Sequence, residues 1–380
     1  MMKRLSRFVV SIWLIFCVAA IAPQAYAVGT DGTDVPYDTG KINFETMSWD
    51  ELIEEFLAAY KVSEGQVTIG YYNTVTGEEH FYDADRYMVS GSMYKVPLAM
   101  VYVEKDAAGE IDIENGGIGA LPYKLLLEGI IVDSNNSYAE TLFYALGSYY
   151  QYRRIIAPYM GEDPDAVDAK YYENNFFTAR QMVTCLQKLY DEQETFGYVI
   201  ELMKQAEPEN YFQRYEDRYE VAHKYGWVTD ELGYLHMNDC GIVYTDDPYI
   251  LVCFTDGAID PYGILGSLVT LMSDYTQYQY QERIAAEEAE AERLRAEQEA
   301  AVQEALQQEP VNNGPQEEVE EPEKPREVGR IVVLTVSFAL ALGLAIYAEI
   351  KKGGVVFKRM LIAVVCLLLV FALWFVSTSV

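Results

Sequence analysis

Histidine and cysteine are scarce in this chain, three and five among 380 residues, and 28 Lys and Arg face 59 Asp and Glu. A formal charge of −31 excludes nucleic-acid binding, which needs a basic footprint. Much of the acid sits in one biased segment, so it says little about the surface elsewhere. Five cysteines are few for a disulfide scaffold, and Cys17 and Cys366 lie in long apolar runs. Cys185, Cys240 and Cys253 remain, as one disulfide with an odd thiol or, the preferred reading, as three buried free thiols. No Gly-x-Ser-x-Gly elbow accompanies His80, His223 or His236, which leaves no case for a serine–histidine triad. His236 and Cys240 read as positions on paired strands rather than as zinc ligands. No metal or other cofactor is expected, and the chain has no internal repeat.

The two ends carry long apolar runs. Lys3, Arg4 and Arg7 precede an apolar stretch over 8–22, then Pro23 and Ala25-Tyr26-Ala27, the three-part build of a secretory signal over residues 1–27. The alternative is an uncleaved signal anchor. Residues 331–348 and 360–380 carry no charge, and about 20 apolar residues suffice to cross a bilayer as a helix. Transmembrane helices are therefore expected over 330–350 and 360–380. The loop between them, 351–359, holds Lys351, Lys352, Lys358 and Arg359, whereas Glu317, Glu318, Glu320, Glu321 and Glu323 precede the first run. The positive-inside rule puts that basic loop in the cytoplasm. Everything back to residue 28 then lies on the extracytoplasmic side of the cell membrane.

Between the ends, 28–47 reads as a flexible lead-in and 48–275 as one domain of about 230 residues, enough for a sizeable core. Leu52, Ile53, Phe56 and Leu57 make a helical stripe behind the cap Ser48. A hairpin follows over 66–82, turning at Asn73-Thr74-Val75-Thr76-Gly77. Helical patterns occupy 93–105, 123–131, 138–146 and 178–190, and strand patterns return at 219–228, 238–244 and 249–255. Strands at both ends of a helical block predict a mixed α/β (α+β) domain, with an antiparallel sheet gathered from the N- and C-terminal strands. The last helix runs on through 276–308, a charged stretch of Ala, Glu, Gln, Arg and Leu. It reads as a solvated helical stalk; a dimeric coiled coil is the weaker alternative, because the apolar positions keep no heptad. Residues 309–329 form an acidic, proline-broken linker expected to be disordered.

Three short motifs could carry chemistry. Ser92-Met93-Tyr94-Lys95 precedes the apolar run Val96-Pro97-Leu98-Ala99-Met100. Residues three apart share a helix face, so the lysine amine can reach the serine hydroxyl. A serine hydroxyl is a weak nucleophile that needs a base, and lysine is one only when burial or a second cation lowers its pKa. The second motif is Ser134-Asn135-Asn136, and the third is Lys224-Tyr225-Gly226 on a strand, preceded by His223.

Together these motifs resemble the S-x-x-K, S-D-N and K-T-G set of class A β-lactamases and penicillin-binding proteins. The resemblance extends over about residues 49–273. It implies that Ser92 is the acylated nucleophile, Lys95 its proton acceptor, and Ser134 the relay to the leaving amine. Asn136 would hold the substrate amide and Lys95. Lys224 would attract the substrate carboxylate and depress the Lys95 pKa. The backbone N–H groups of Ser92 and Trp227 would form the oxyanion hole, with Gly226 between Trp227 and Tyr225 on the same strand. Two departures stand out. Tyr225 places a bulky ring where the family has Thr or Ser, and 161–178 lacks the family's Glu followed four residues later by Asn. Glu162 and Glu173 are the only acids that come close, and Glu173 reads more simply as a solvated loop acid. Tyr144, Tyr149, Tyr150, Tyr152, Tyr159, Tyr171 and Tyr172 either line the cleft as a platform or simply pack. The implied function is an active-serine acyl hydrolase or transferase acting on a β-lactam or a D-alanyl cell-wall peptide. The rival is a module of the same fold that binds or senses wall fragments.

Overall fold

The computed structural model describes residues 35–206, 210–229 and 233–307. The signal-like segment, the acidic linker and both apolar C-terminal runs lie outside them. Among the described residues, no helix is long and apolar enough to cross a membrane.

Five strands make the central sheet: β1 Val67–Asn73, β2 Glu79–Tyr82, β3 Val221–Thr229, β4 Leu235–Val243 and β5 Tyr249–Thr255. Their order is β2-β1-β5-β4-β3, all neighbours antiparallel. The N-terminal hairpin thus pairs with the last strand, and β3 is left at an edge. Side chains alternate between faces along a strand, and β5 shows the consequence. Tyr249, Leu251 and Cys253 pack with α1 (Trp49–Ala59) and the start of α8 (Pro261–Gln307), while Ile250, Val252 and Phe254 pack with a helical block on the other face. The result is the mixed α/β arrangement with an antiparallel sheet that the strand and helix patterns predict, and it has helices on both faces of that sheet.

The helical block comprises α2 Lys95–Ala107, α3 Tyr123–Ile131, α4 Asn136–Ala145, α5 Tyr149–Ile156, α6 Ala179–Asp191 and α7 Gln193–Met203. Ser48 caps α1 in a capping box with Glu51, and Thr178 does the same for α6 with Gln181. Each box satisfies amide donors that a helix start leaves unpaired. Helices α5 and α7 were not anticipated from pattern. In α8, Ile264, Leu265, Leu268, Val269 and Met272 are buried, whereas residues 285–304 are all exposed. Cys185, Cys240 and Cys253 are buried and free.

Candidate active site

The chain reaches the serine through a 3-10 turn, Gly91–Tyr94, which hands over to α2 at Lys95. Residues three apart eclipse in such a turn, so Ser92 and Lys95 align more directly than in an α-helix. Lys95 Nζ lies 3.0 Å from Ser92 Oγ. It donates to the Ser134 carbonyl at 2.5 Å and to Asn136 Oδ1 at 2.7 Å, and lies 3.1 Å from Ser134 Oγ. The sequence-expected nucleophile, base, relay and amide holder therefore converge on one amine.

The α3–α4 connection is built to aim Ser134 inward. Ser134 adopts a left-handed backbone, φ 55°, a conformation that non-glycine residues hold only when surrounding contacts impose it. Those contacts are present. The Asn135 N–H donates to the Gly129 carbonyl at 2.8 Å, and the Asn135 side chain caps α4 by accepting from the Tyr138 N–H at 3.1 Å. Asn is as good a cap as Asp, so the middle position of this motif does structural duty that either residue fulfils.

Lys95 is fully buried. Burial, reinforced by the nearby Lys224 ammonium, pushes its pKa down to about 6, because a desolvated ammonium beside a like charge sheds its proton. At neutral pH it is then largely a free amine with its lone pair available to Ser92. The Ser92 acylation rate should accordingly climb with pH through a midpoint near about 6. Lys224→Met should move that rising limb to higher pH, since removing the second cation makes Lys95 easier to protonate. A pH–rate profile of single-turnover acylation checks both, and an unmoved limb would remove Lys224 from the electrostatics.

Strand β3 abuts the serine turn at the van der Waals limit. A Cβ on Gly226 would sit 2.3 Å from the Ser90 carbonyl oxygen and 2.6 Å from Ser92 N. A Cβ on Gly91 (φ +58°) would meet Trp227 N at 2.7 Å. Glycine at both positions lets strand and turn approach closely, a closeness that an oxyanion hole built from the Ser92 and Trp227 amides would need.

Lys224 is the residue expected to attract a substrate carboxylate. It is fully buried, donates to the Tyr225 carbonyl at 3.1 Å, and lies 3.7 Å from the centroid of the Tyr225 ring. That ring is 7% exposed and stacks on Tyr211 at 4.4 Å with an 18° interplanar angle. Among the described residues, no carboxylate hydrogen-bonds Ser92, Lys95, Ser134 or Asn136. Glu173 is exposed, and Glu162 accepts from Gln181 Nε2 at 2.9 Å. Neither glutamate of the 161–178 segment therefore stands in for the missing loop glutamate.

Sequence reasoning missed two supports. Asn175 accepts from the Ser90 N–H at 2.9 Å and donates its side-chain amide to the Gly91 carbonyl, tying the 161–178 segment to the serine turn. Its Oδ1 is buried with no partner among the described residues. Arg153, also fully buried, clamps the same segment through the Tyr171 and Phe176 carbonyls at 2.5 and 2.6 Å. Its guanidinium lies between the rings of Tyr171 and Phe177, at 3.8 and 3.9 Å. Of the tyrosines around the site, Tyr152 and Tyr171 are buried packing residues, whereas Tyr144 and Tyr150 are mostly exposed.

A family model for the beta-lactamase enzyme family matches residues 50–116 and 120–273. The chain belongs to that family. Among solved structures, this beta-lactamase family member is similar to a beta-lactamase from Chitinophaga pinensis (TM-score 0.51, 16% identity, covering 59% of this chain and 99% of that one). It is likewise similar to a beta-lactamase from Xanthomonas campestris (0.51, 15%, 60% and 98%) and to the TLA-1 extended spectrum beta-lactamase (0.51, 17%, 60% and 98%). At such identities these likenesses establish the fold. No match was found among curated proteins.

Proposed function

We propose that this beta-lactamase family member is an active-serine acyl hydrolase or transferase. The observation that carries the reading is the fully buried amine of Lys95, shared between the hydroxyls of Ser92 and Ser134. Lys95 takes the Ser92 proton as Oγ attacks the acyl carbon. The amides of Ser92 and Trp227 receive the developing oxyanion. Ser134 passes a proton to the leaving atom, and Asn136, exposed at its own end of the cluster, holds the substrate amide. Donors of the family type are a β-lactam or a D-alanyl peptide of the cell wall. With no carboxylate at the site among the described residues, release of the acyl group is expected to be slower than its uptake.

The domain is proposed to work outside the cytoplasm, exported by residues 1–27 and held at the membrane by the apolar runs 330–350 and 360–380. The exposed part of α8 and the acidic linker would act as the tether. Such an anchor suits a substrate fixed near the membrane better than a diffusing antibiotic. A second reading, a module that binds wall fragments without turnover, draws on the covering of Lys224 by Tyr225.

Mass spectrometry after incubation with a fluorescent penicillin and with D-alanyl esters separates the two. A covalent adduct mapped to Ser92, absent in Ser92→Ala, is the expected result. No adduct with any acyl probe would leave only the binding module.

A further inference from the structure

We infer that Ser92 takes its acyl group from a donor whose leaving side carries no carboxylate, an uncharged ester or amide, because the Tyr225 ring lies against buried Lys224, the cation that the family resemblance assigns to anchoring an anion there. The inference rests on the acyl-transfer reading above and narrows its donors: it keeps a D-alanyl acyl group, drops the free acid beside it, and makes penicillin, whose carboxylate also lies on the leaving side, a slow acylating probe rather than a fitting donor.

Lys224 is the cation that an anionic donor would seek. Its side chain is fully buried, and the Tyr225 ring lies against the ammonium, 3.7 Å from centroid to Nζ, a distance at which the ring face attracts the cation. The ring cannot swing aside freely, since Tyr211 stacks on it and it is 7% exposed. A carboxylate would have to break the stack and the cation–ring contact, and lose its own water, before it reached Lys224. The next exposed side chain on the strand gives it no better reception. Trp227, whose N–H abuts the Gly91–Ser92 turn, leaves its side chain half exposed. An aromatic surface of this kind favours an uncharged group over a hydrated anion. Lys224 keeps its other effect, as the second cation near Lys95.

The step balances without a further reactant. Ser92 Oγ bonds to the acyl carbon and the bond from that carbon to the leaving oxygen or nitrogen breaks. The Ser92 proton goes to Lys95, and a proton reaches the leaving atom through Ser134. Water then cleaves the acyl-serine ester and restores the hydroxyl.

A matched pair of probes tests this on the full chain: N-acetyl-D-alanyl-D-lactate, with a free carboxylate on its leaving side, and the methyl ester of that acid. The readout is the single-turnover rate of the N-acetyl-D-alanyl adduct on Ser92. The methyl ester is expected to react at least about tenfold faster, since only the free acid must shed the water of a carboxylate to occupy the site. Tyr225→Thr should uncover Lys224 and shift the ratio toward the acid, whereas Tyr225→Phe, which keeps the ring, should hold the wild-type ratio. Equal rates in the wild type, or a preference for the acid, would overturn the inference whether or not the Thr variant folds. So would a ratio that Tyr225→Thr leaves unchanged. Failure of Ser92 to react with either probe or with penicillin is a different outcome, since it removes the acyl-transfer reading and this inference with it.

Discussion

Lys95→Met is expected to slow acylation of Ser92 by about 10²–10⁴-fold, the range typical for loss of a positioned general base. Methionine keeps an unbranched apolar stem in the space that the lysine fills among buried neighbours of α2, so the change isolates the amine. What disappears is the single group that touches Ser92 Oγ, Ser134 Oγ and Asn136 Oδ1 together. The measurement is single-turnover adduct formation in parallel with thermal unfolding. A variant that unfolds near the wild-type temperature but acylates slowly places Lys95 in the chemistry. One that acylates at the wild-type rate would show that something other than this lysine activates the serine.

Gly226→Ala is expected to produce a loss of about 10²–10³-fold, through geometry rather than proton transfer. The new methyl would fall 2.3 Å from the Ser90 carbonyl oxygen and 2.6 Å from Ser92 N. Both are backbone atoms and cannot rotate away, so strand and turn must separate. Loss of one oxyanion donor costs about 10²–10³ in rate, and a displacement of about 1 Å has effects of similar size. Overpacking of this kind also destabilises by about 1–3 kcal/mol, which a calorimetric scan would register. A lowered melting temperature with unchanged acylation would mean that β3 supports the turn without contributing to the oxyanion hole.

The parts of the site that were legible in the sequence are those set by local spacing. Ser92 and Lys95 are three apart, and Ser134 and Asn136 flank a residue whose side chain caps a helix, so each pair has its geometry written into a few consecutive positions. The hairpin and the three C-terminal strands were legible for the same reason, through alternation and turn residues. The boundaries moved by one to three residues, and the serine lies in a 3-10 turn rather than in the helix proper. Helix α7 does carry a stripe, Phe196, Val199, Ile200 and Met203, all buried. It starts after a single residue, Glu192, at the end of α6, so its polar first turn reads as a loop. Helix α5 is eight residues long and mixes tyrosine with Arg153 and Arg154, too short for a period to stand out.

What depends on distant partners could not be read locally. Arg153 and Arg154 are adjacent and chemically identical, yet one is buried against two carbonyls and two rings while the other pairs with Asp165 at 2.7 Å near the surface. Nothing in the dipeptide distinguishes them. Tyr225 reads in sequence as an obstruction of uncertain direction. Only the fold shows that it turns onto Lys224 and Tyr211, because Tyr211 lies outside the strand that carries it.

Lys95 must be a free amine at physiological pH to accept the Ser92 proton, and its titration can be followed directly. With lysines labelled at the ε-carbon, NMR of the full chain resolves Lys95 by its loss in Lys95→Met. The prediction is a titration midpoint near about 6, moving upward in Lys224→Met. A midpoint in the ordinary lysine range, about 10.4, would contradict the proposed chemistry, since Lys95 would then hold its proton when Ser92 has to give one up.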